Sequence, residues 1–324
     1  MIKQSYLFFL LLIFSLAMLS GVALFSGDLI DVEHLFGAVR PQASFFLKEF
    51  RLPRLITAIL SGSGLALCGM VMQTLFRNPL AGPHILGISA GSSFGVLLAV
   101  VVGGGVFNQF GLIGAAVIGA FAVALFVLYF AARIHSYVKV LLIGVMLSAL
   151  LSGLVTILQS LATAEELRTV TFWSMGSIQF VQFEDLCYFF VLYPLILGVI
   201  LSHSSHLDVL LLDELSAKSL GLHVKRTRFI LIACTALLVG LITAFCGPIA
   251  FVGMAVPNLS KLLFRTHKHN VLMLSNVLLG AIFMLFCDVI ILQLETVLMI
   301  PLNAMTALVG APFLIFMLVK KMVL

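Results

Sequence analysis

Residues 51–82 read RLPRLITAILSGSGLALCGMVMQTLFRNPLAG. From Leu55 to Phe76 the run carries no charge, and arginines stand at both ends, Arg51 and Arg54 before it and Arg77 after it. As a helix rising 1.5 Å per residue, a run of about 20 residues covers roughly 30 Å, the thickness of a bilayer's hydrocarbon core. Pro53 suits a first helical turn, where its missing N–H would have had no acceptor. The stretch is built to cross a membrane.

The rest of the chain follows the same pattern. Of its 324 residues, 62% are hydrophobic and 10% charged, with a mean hydropathy of +1.23. Soluble domains average about 45–50% apolar and about 25% charged residues, and a soluble fold this apolar would expose large sticky patches. Apolar runs bounded by Gly, Pro or charge fall near 5–26, 55–76, 90–106, 111–132, 140–162, 186–203, 229–246, 250–264, 271–292 and 304–319. The expected fold is therefore all-α and polytopic, with about ten transmembrane helices in a single domain spanning 1–324. The eighth run is short and interrupted. Lys3 followed by Tyr6–Phe25 has the look of a signal peptide, but the run exceeds the usual 7–15-residue core, so a retained first helix is expected. The five cysteines (Cys68, Cys187, Cys234, Cys246 and Cys287) form no C-x-x-C pair and read as small buried hydrophobes. No cofactor or metal site is expected.

Orientation follows from the cations. With the N-terminus in the cytoplasm, only Arg40, Lys48, Arg51, Arg54 and Arg168 of the 18 lysines and arginines lie outside. Both termini are then cytoplasmic. The basic residues are spread over loops rather than gathered on one soluble surface, which argues against nucleic-acid binding. The outer loop Gly27–Phe50 has room for an interfacial helix. The inner loop, about 207–226, holds Asp213, Glu214, Leu215, Ser216, Ala217, Lys218, Ser219, Leu220 and Gly221. Its leucines recur near a helical period, and Gly221 suits a helix C-terminus. It reads either as a solvated loop or as an amphipathic helix offered to a cytoplasmic partner.

Small residues recur at four-residue spacing: Ala58, Gly62 and Ala66, and again Gly87, Gly91 and Gly95. These fit close helix packing. A third stripe, Gly144, Ser148, Ser152, Thr156 and Ser160, fits either a packed face or the lining of a path. Asp288 is the one clear ionisable residue inside a span, too few for a proton or sodium relay of the usual kind. There is no G-x-x-x-x-G-K-[ST] phosphate loop, so the chain is not expected to bind ATP that way. Gly91–Gly95 matches G-x-S-x-G, but the start of a membrane helix is not the strained strand–helix turn this motif needs. Two Gly/Pro-rich interruptions, Arg77–Gly87 and Gly247–Asn258, end runs of opposite direction and hint at an inverted repeat. The external Arg51 and Arg54, placed i, i+3, suit lipid phosphates or carboxylates of a soluble partner.

In order along the chain, Arg51–Arg54, Gly69–Gln73, Arg77–Ala81, Leu86–Gly91, Trp173–Ser177, Leu215–Gly221, Gly247–Gly253 and Gly310–Phe313 resemble the signatures of FecCD-type permeases. The resemblance covers essentially the whole chain. It implies a type II ABC importer permease in a bacterial cytoplasmic membrane, surrounded by lipid and carrying an iron chelate, with a ferric siderophore foremost and haem, cobalamin or an oxyanion as alternatives. It further implies a second permease subunit (an identical copy or a paralogue), an ABC ATPase subunit that performs the hydrolysis, and a periplasmic or lipid-anchored substrate-binding protein. By that resemblance Asp213–Gly221 couples to the ATPase, Arg51 and Arg54 dock the binding protein, and Gly144–Ser160 lines the pathway. Asn78 and Leu80, with His135, Ser136 and Tyr137, match the cytoplasmic gate. Three departures stand out: Asn258 where the family often has His, no arginine following Cys287-Asp288, and Met299-Ile300 before Pro301. An ion-coupled transporter or a membrane enzyme would be the reading from another class.

Overall fold

The computed structural model describes residues 2–25, 45–103, 109–134, 136–179, 181–212, 214–295 and 298–320. Thirteen α-helices occur among them. They are α1 (Ile2–Phe25), α2 (Leu52–Phe76), α3 (Ile88–Val102), α4 (Gln109–Arg133), α5 (Tyr137–Leu161), α6 (Ala164–Ser174), α7 (Phe183–Ser202), α8 (Ser204–Leu210), α9 (Glu214–Ser219), α10 (Val224–Cys246), α11 (Val252–Phe264), α12 (His269–Leu294) and α13 (Leu302–Val319). A wide π-turn at Leu47–Arg51 leads into α2, and a 3₁₀ turn at Pro83–Leu86 precedes α3. Seven helices (α1, α2, α4, α5, α7, α10 and α12) are long and apolar enough to cross a membrane, while α3, α11 and α13 are shorter apolar helices. Together they occupy the ten expected spans. Most of the outer loop 27–50 lies outside the described residues; only 45–50 are seen, running helically into α2.

The core is organised around α2. Within its most apolar stretch 78% of residues are buried, against 17% in α5 and 6% in α1. Lipid gives no hydrophobic reason for two helices to associate, so close backbone approach has to supply the attraction. The small-residue stripes do this. Helix α12 runs antiparallel to α2 and meets it where Gly62 faces Gly280; a Cβ on either would strike the other's carbonyl oxygen. Gly69 similarly faces the Gly253 carbonyl of α11, and Gly91 faces Gly119 of α4. Packing is the role of these residues.

Helix ends are specified locally. Pro53 occupies the first turn of α2, and Arg77 closes that helix in a left-handed conformation (φ 48°) just before Asn78-Pro79. Helix α6 was not anticipated from the hydropathy pattern. It opens on a capping box: the Thr163 side chain accepts from the Glu166 amide, and the Glu166 carboxylate accepts from the Thr163 amide.

Valine at Gly62 or Gly280 would overpack this crossing, and the expected cost is about 1–3 kcal/mol or more. Thermal unfolding in detergent should show a clear drop for Gly62→Val and Gly280→Val. Gly198→Val, whose Cβ would meet open space, should leave the midpoint nearly unchanged.

Candidate functional site

Three regions along α2 carry polar chemistry. At the Arg54 end, Arg54 Nε lies 2.9 and 3.1 Å from the two Asp288 carboxylate oxygens, and a terminal guanidinium nitrogen lies 2.8 Å from Oδ1. Arg54 is 9% exposed and Asp288 1%. The antiparallel crossing explains the pairing. Arg54 stands two turns before Gly62 and Asp288 two turns after Gly280, so both lie at the same depth, about 12 Å from the crossing. Glu295 sits near the pair, its Oε2 3.8 Å from Arg54 Nη1. Arg51 donates to the Ala23 carbonyl of α1 at 3.0 Å and lies over the Phe46 ring. The sequence pattern suggested two guanidiniums projecting outward; in the folded chain both turn inward, because each finds an acceptor on a neighbouring helix.

Above this ion pair opens a cavity of about 760 Å³. Phe172, Trp173, Gln179, Phe245 and Met299 help to line it. Its wall is stitched together by backbone bonds, Ser177 N–H to the Cys246 carbonyl at 2.8 Å and Asn303 N–H to the Met175 carbonyl at 3.2 Å. Gly247, at φ 72°, lies so close to the Trp173 carbonyl that a side chain there would collide with it.

In the middle of the molecule the two Gly/Pro-rich interruptions meet. Pro83 packs on Gly253, and Gly82 on Met254. Broken backbone inside a membrane needs hydrogen-bond partners from neighbouring protein, and polar side chains supply them. Asn258 Nδ2 donates to the Pro79 and Met254 carbonyls at 2.9 and 2.8 Å, Gln73 Nε2 donates to Met254 O at 3.2 Å, and Asn303 Oδ1 accepts from Ala250 N–H at 3.0 Å. Lys261 Nζ donates to Gln73 Oε1 at 2.9 Å. Phe251 opens α11 at a positive φ of 66°, a sparsely populated conformation that costs a bulky residue roughly 1–3 kcal/mol.

The hydroxyl stripe on α5 divides here. Gly144 packs against the Ile85 carbonyl, and Ser148 lies against Gly87 while donating to its own Gly144 carbonyl. Ser152, Thr156 and Ser160 stand on an exposed face of the chain, the last two bonded to carbonyls of their own helix.

At the Arg77 end, α8 turns into the six-residue α9. Leu211, Leu212, Leu215 and Leu220 are exposed, the last two by 79% and 65%, whereas Ala217 and Leu222 are buried. Gly221, at φ 82°, closes α9: its N–H reaches the Lys218 carbonyl and that of Leu222 reaches Ala217, the Schellman pattern. Arg77 holds the preceding turn through the carbonyls of Leu210 and Leu212. Asp213 and the side chain of Glu214 lie outside the described residues.

A model of the FecCD transport family matches residues 7–320. The chain belongs to the FecCD transport family. It is 38% identical over 265 residues to the molybdate import system permease protein MolB of Haemophilus influenzae, covering 82% of this chain and 78% of that one. It is 35% identical over 280 residues to the vitamin B12 import system permease protein BtuC of Escherichia coli O127:H6, covering 86% and 85%. A solved structure described as an inward-facing conformation of a metal-chelate type ABC transporter superposes with a TM-score of 0.87 at 35% identity, covering 95% of this chain and 97% of that one.

In this FecCD-family chain the expected gate residues fall at two turns. Asn78 Oδ1 accepts from the Leu80 N–H at 2.9 Å, and Leu80 is 40% exposed. Ser136 precedes α5 without capping it, while His135 and the Tyr137 side chain lie outside the described residues. Sequence reading missed Trp173 and its helix α6 as cavity walls, although Thr163-x-x-Glu166 was a usable start signal. It also missed the partner of Asp288, which only the helix register identifies.

Removing one member of the buried ion pair strands the other. Asp288→Ala should lower stability by about 3–5 kcal/mol, and Arg54→Met/Asp288→Leu should recover most of that. Thermal unfolding of the three proteins in detergent checks both outcomes.

Proposed function

We propose that this chain is the membrane-spanning subunit of an ATP-driven importer whose ATPase docks on the exposed leucines of residues 207–226. The match to the FecCD family over nearly the whole chain carries this reading. Exposed leucines at the foot of a bundle, outside its apolar spans, are what a protein partner would bury. The sequence has no phosphate loop of its own, so hydrolysis belongs to that partner. The cation distribution supports placing the Arg77 end and both termini in the cytoplasm.

On the opposite side, a binding protein delivers cargo to the Arg54 end, where the cavity opens between α6, α10 and α12. The exposed Ser152, Thr156 and Ser160 face of α5 meets a second permease copy or paralogue, and the path runs between the two. The Thr156 and Ser160 hydroxyls, already bonded to their own helix, tolerate wetting without binding cargo tightly. With its relatives named for molybdate and vitamin B12, the proposed cargo widens from a ferric siderophore to a metal-containing oxyanion or chelate. Ion coupling loses its best candidate group, since Asp288 is neutralised by Arg54.

Uptake of molybdate, vitamin B12 and a ferric siderophore in a deletion strain, with and without the chain, identifies the cargo. Uptake that persists when ATP is depleted but collapses with a protonophore would overturn the importer reading. A leucine side chain buried at an interface contributes about 1.5–3 kcal/mol, which is on the order of tenfold or more in affinity. Leu215→Glu/Leu220→Glu should therefore strip the ATPase from the purified complex while the permease still folds.

A further inference from the structure

We infer that Asp208, His269 and Thr74 form a positioning link that carries movement of the ATPase-docking segment into α2 and α12. The link rests on the importer reading and deepens it. Asp208 stands on α8, immediately before the exposed leucines. Its Oδ1 accepts from the backbone N–H of His269 at 2.9 Å and lies 2.7 Å from ring Nδ1. His269 is the first residue of α12, so the carboxylate holds both the start of that helix and its first side chain. Across the ring, Nε2 lies 2.8 Å from Thr74 Oγ1 on the last turn of α2. Thr74 and His269 are 4% and 2% exposed.

A second tether runs beside the first. The Arg77 guanidinium grips the Leu210 and Leu212 carbonyls on either side of the turn into α9. Both tethers end within one turn of α2, between residues 74 and 77. From that turn polar bonds continue towards the broken segments. The adjacent Gln73 reaches the Met254 carbonyl and accepts from the Asn78 N–H with its own, and Asn258 reaches Pro79.

The physical distinction is between sliding and steering. Apolar contacts between helices are non-directional and let one surface slip over another. Hydrogen bonds weaken steeply with angle and distance; the His269–Thr74 bond is buried away from water, and the partly exposed Asp208 carboxylate adds a charge-assisted bond on the other side of the ring. A pull on α8 and α9 therefore reaches α2 and α12 through fixed geometry. Capping of α12 by Asp208 would need only the backbone bond; the ring and the Thr74 hydroxyl have no part in a cap.

The test uses the permease purified with its ATPase in lipid nanodiscs, with hydrogen exchange of residues 77–82 and 252–258 measured with and without ATP and vanadate. In the wild-type complex, trapping should change exchange in both segments. Thr74→Val and His269→Gln should retain ATP hydrolysis within about twofold, yet lose that response by about threefold or more. Thr74→Ser, which restores the hydroxyl, should respond as wild type. A full response in Thr74→Val overturns the link, and so does loss of the complex in Thr74→Val, which would make the bond merely structural. If no ATPase co-purifies with the wild-type chain, the importer reading itself fails.

Discussion

The antiparallel crossing of α2 and α12 at Gly62 and Gly280 sets the register for most of the polar chemistry in this protein. Once two helices touch backbone to backbone at one point and run in opposite directions, residues equally distant from that point along each chain share a depth. Two turns towards one end this brings Arg54 to Asp288; three turns towards the other it brings Thr74 to His269. Neither pairing has to be specified separately. A side chain at either glycine would separate the helices and misalign both ends together.

A second constraint is backbone satisfaction away from water. The segments 77–87 and 247–251 leave the helical pattern within an apolar bundle, so their N–H and C=O groups need partners at fixed places. Asn258 and Asn303 serve two of these, coming from α11 and α13, while Gln73 of α2 reaches Met254 in the first turn of α11. Each interruption is thus held in part by side chains from other helices. Such backbone can change conformation when those helices shift, at a cost of about 1 kcal/mol per exchanged hydrogen bond, whereas bending an intact helix would break its ladder.

Much of this was legible in the sequence because the governing signals are local. A span needs about 20 apolar residues in a row, a helix stop needs Asn78-Pro79 or Gly221, and close packing needs small residues four apart. What was not legible depends on residues distant in sequence. Asp288 stood out as an ion in a span, but its partner is 234 positions away and is set by helix direction and crossing point. The α5 stripe looked uniform from Gly144 to Ser160, yet its first half packs on the 3₁₀ turn before α3 and its second half faces outward. Only the depth at which that turn sits separates the two. The short α6 escaped notice because it is too polar to stand out in a hydropathy pattern, though its capping residues were visible.

The two ends of α2 are held by bonds of different character, which assigns them different mechanical roles. The Arg54–Asp288 pair is buried and bidentate, and separating two such buried partners costs several kcal/mol. The Arg77 end is held by several weaker bonds, many to backbone carbonyls, beside backbone that is already broken out of the helical ladder. Under the proposed docking of an ATPase at α9, a pull there finds its least resistance near the Arg77 end. On that proposal helix α2 pivots about its Arg54 end, so the turn at Arg77–Leu80 moves while the cavity wall near Asp288 keeps its shape.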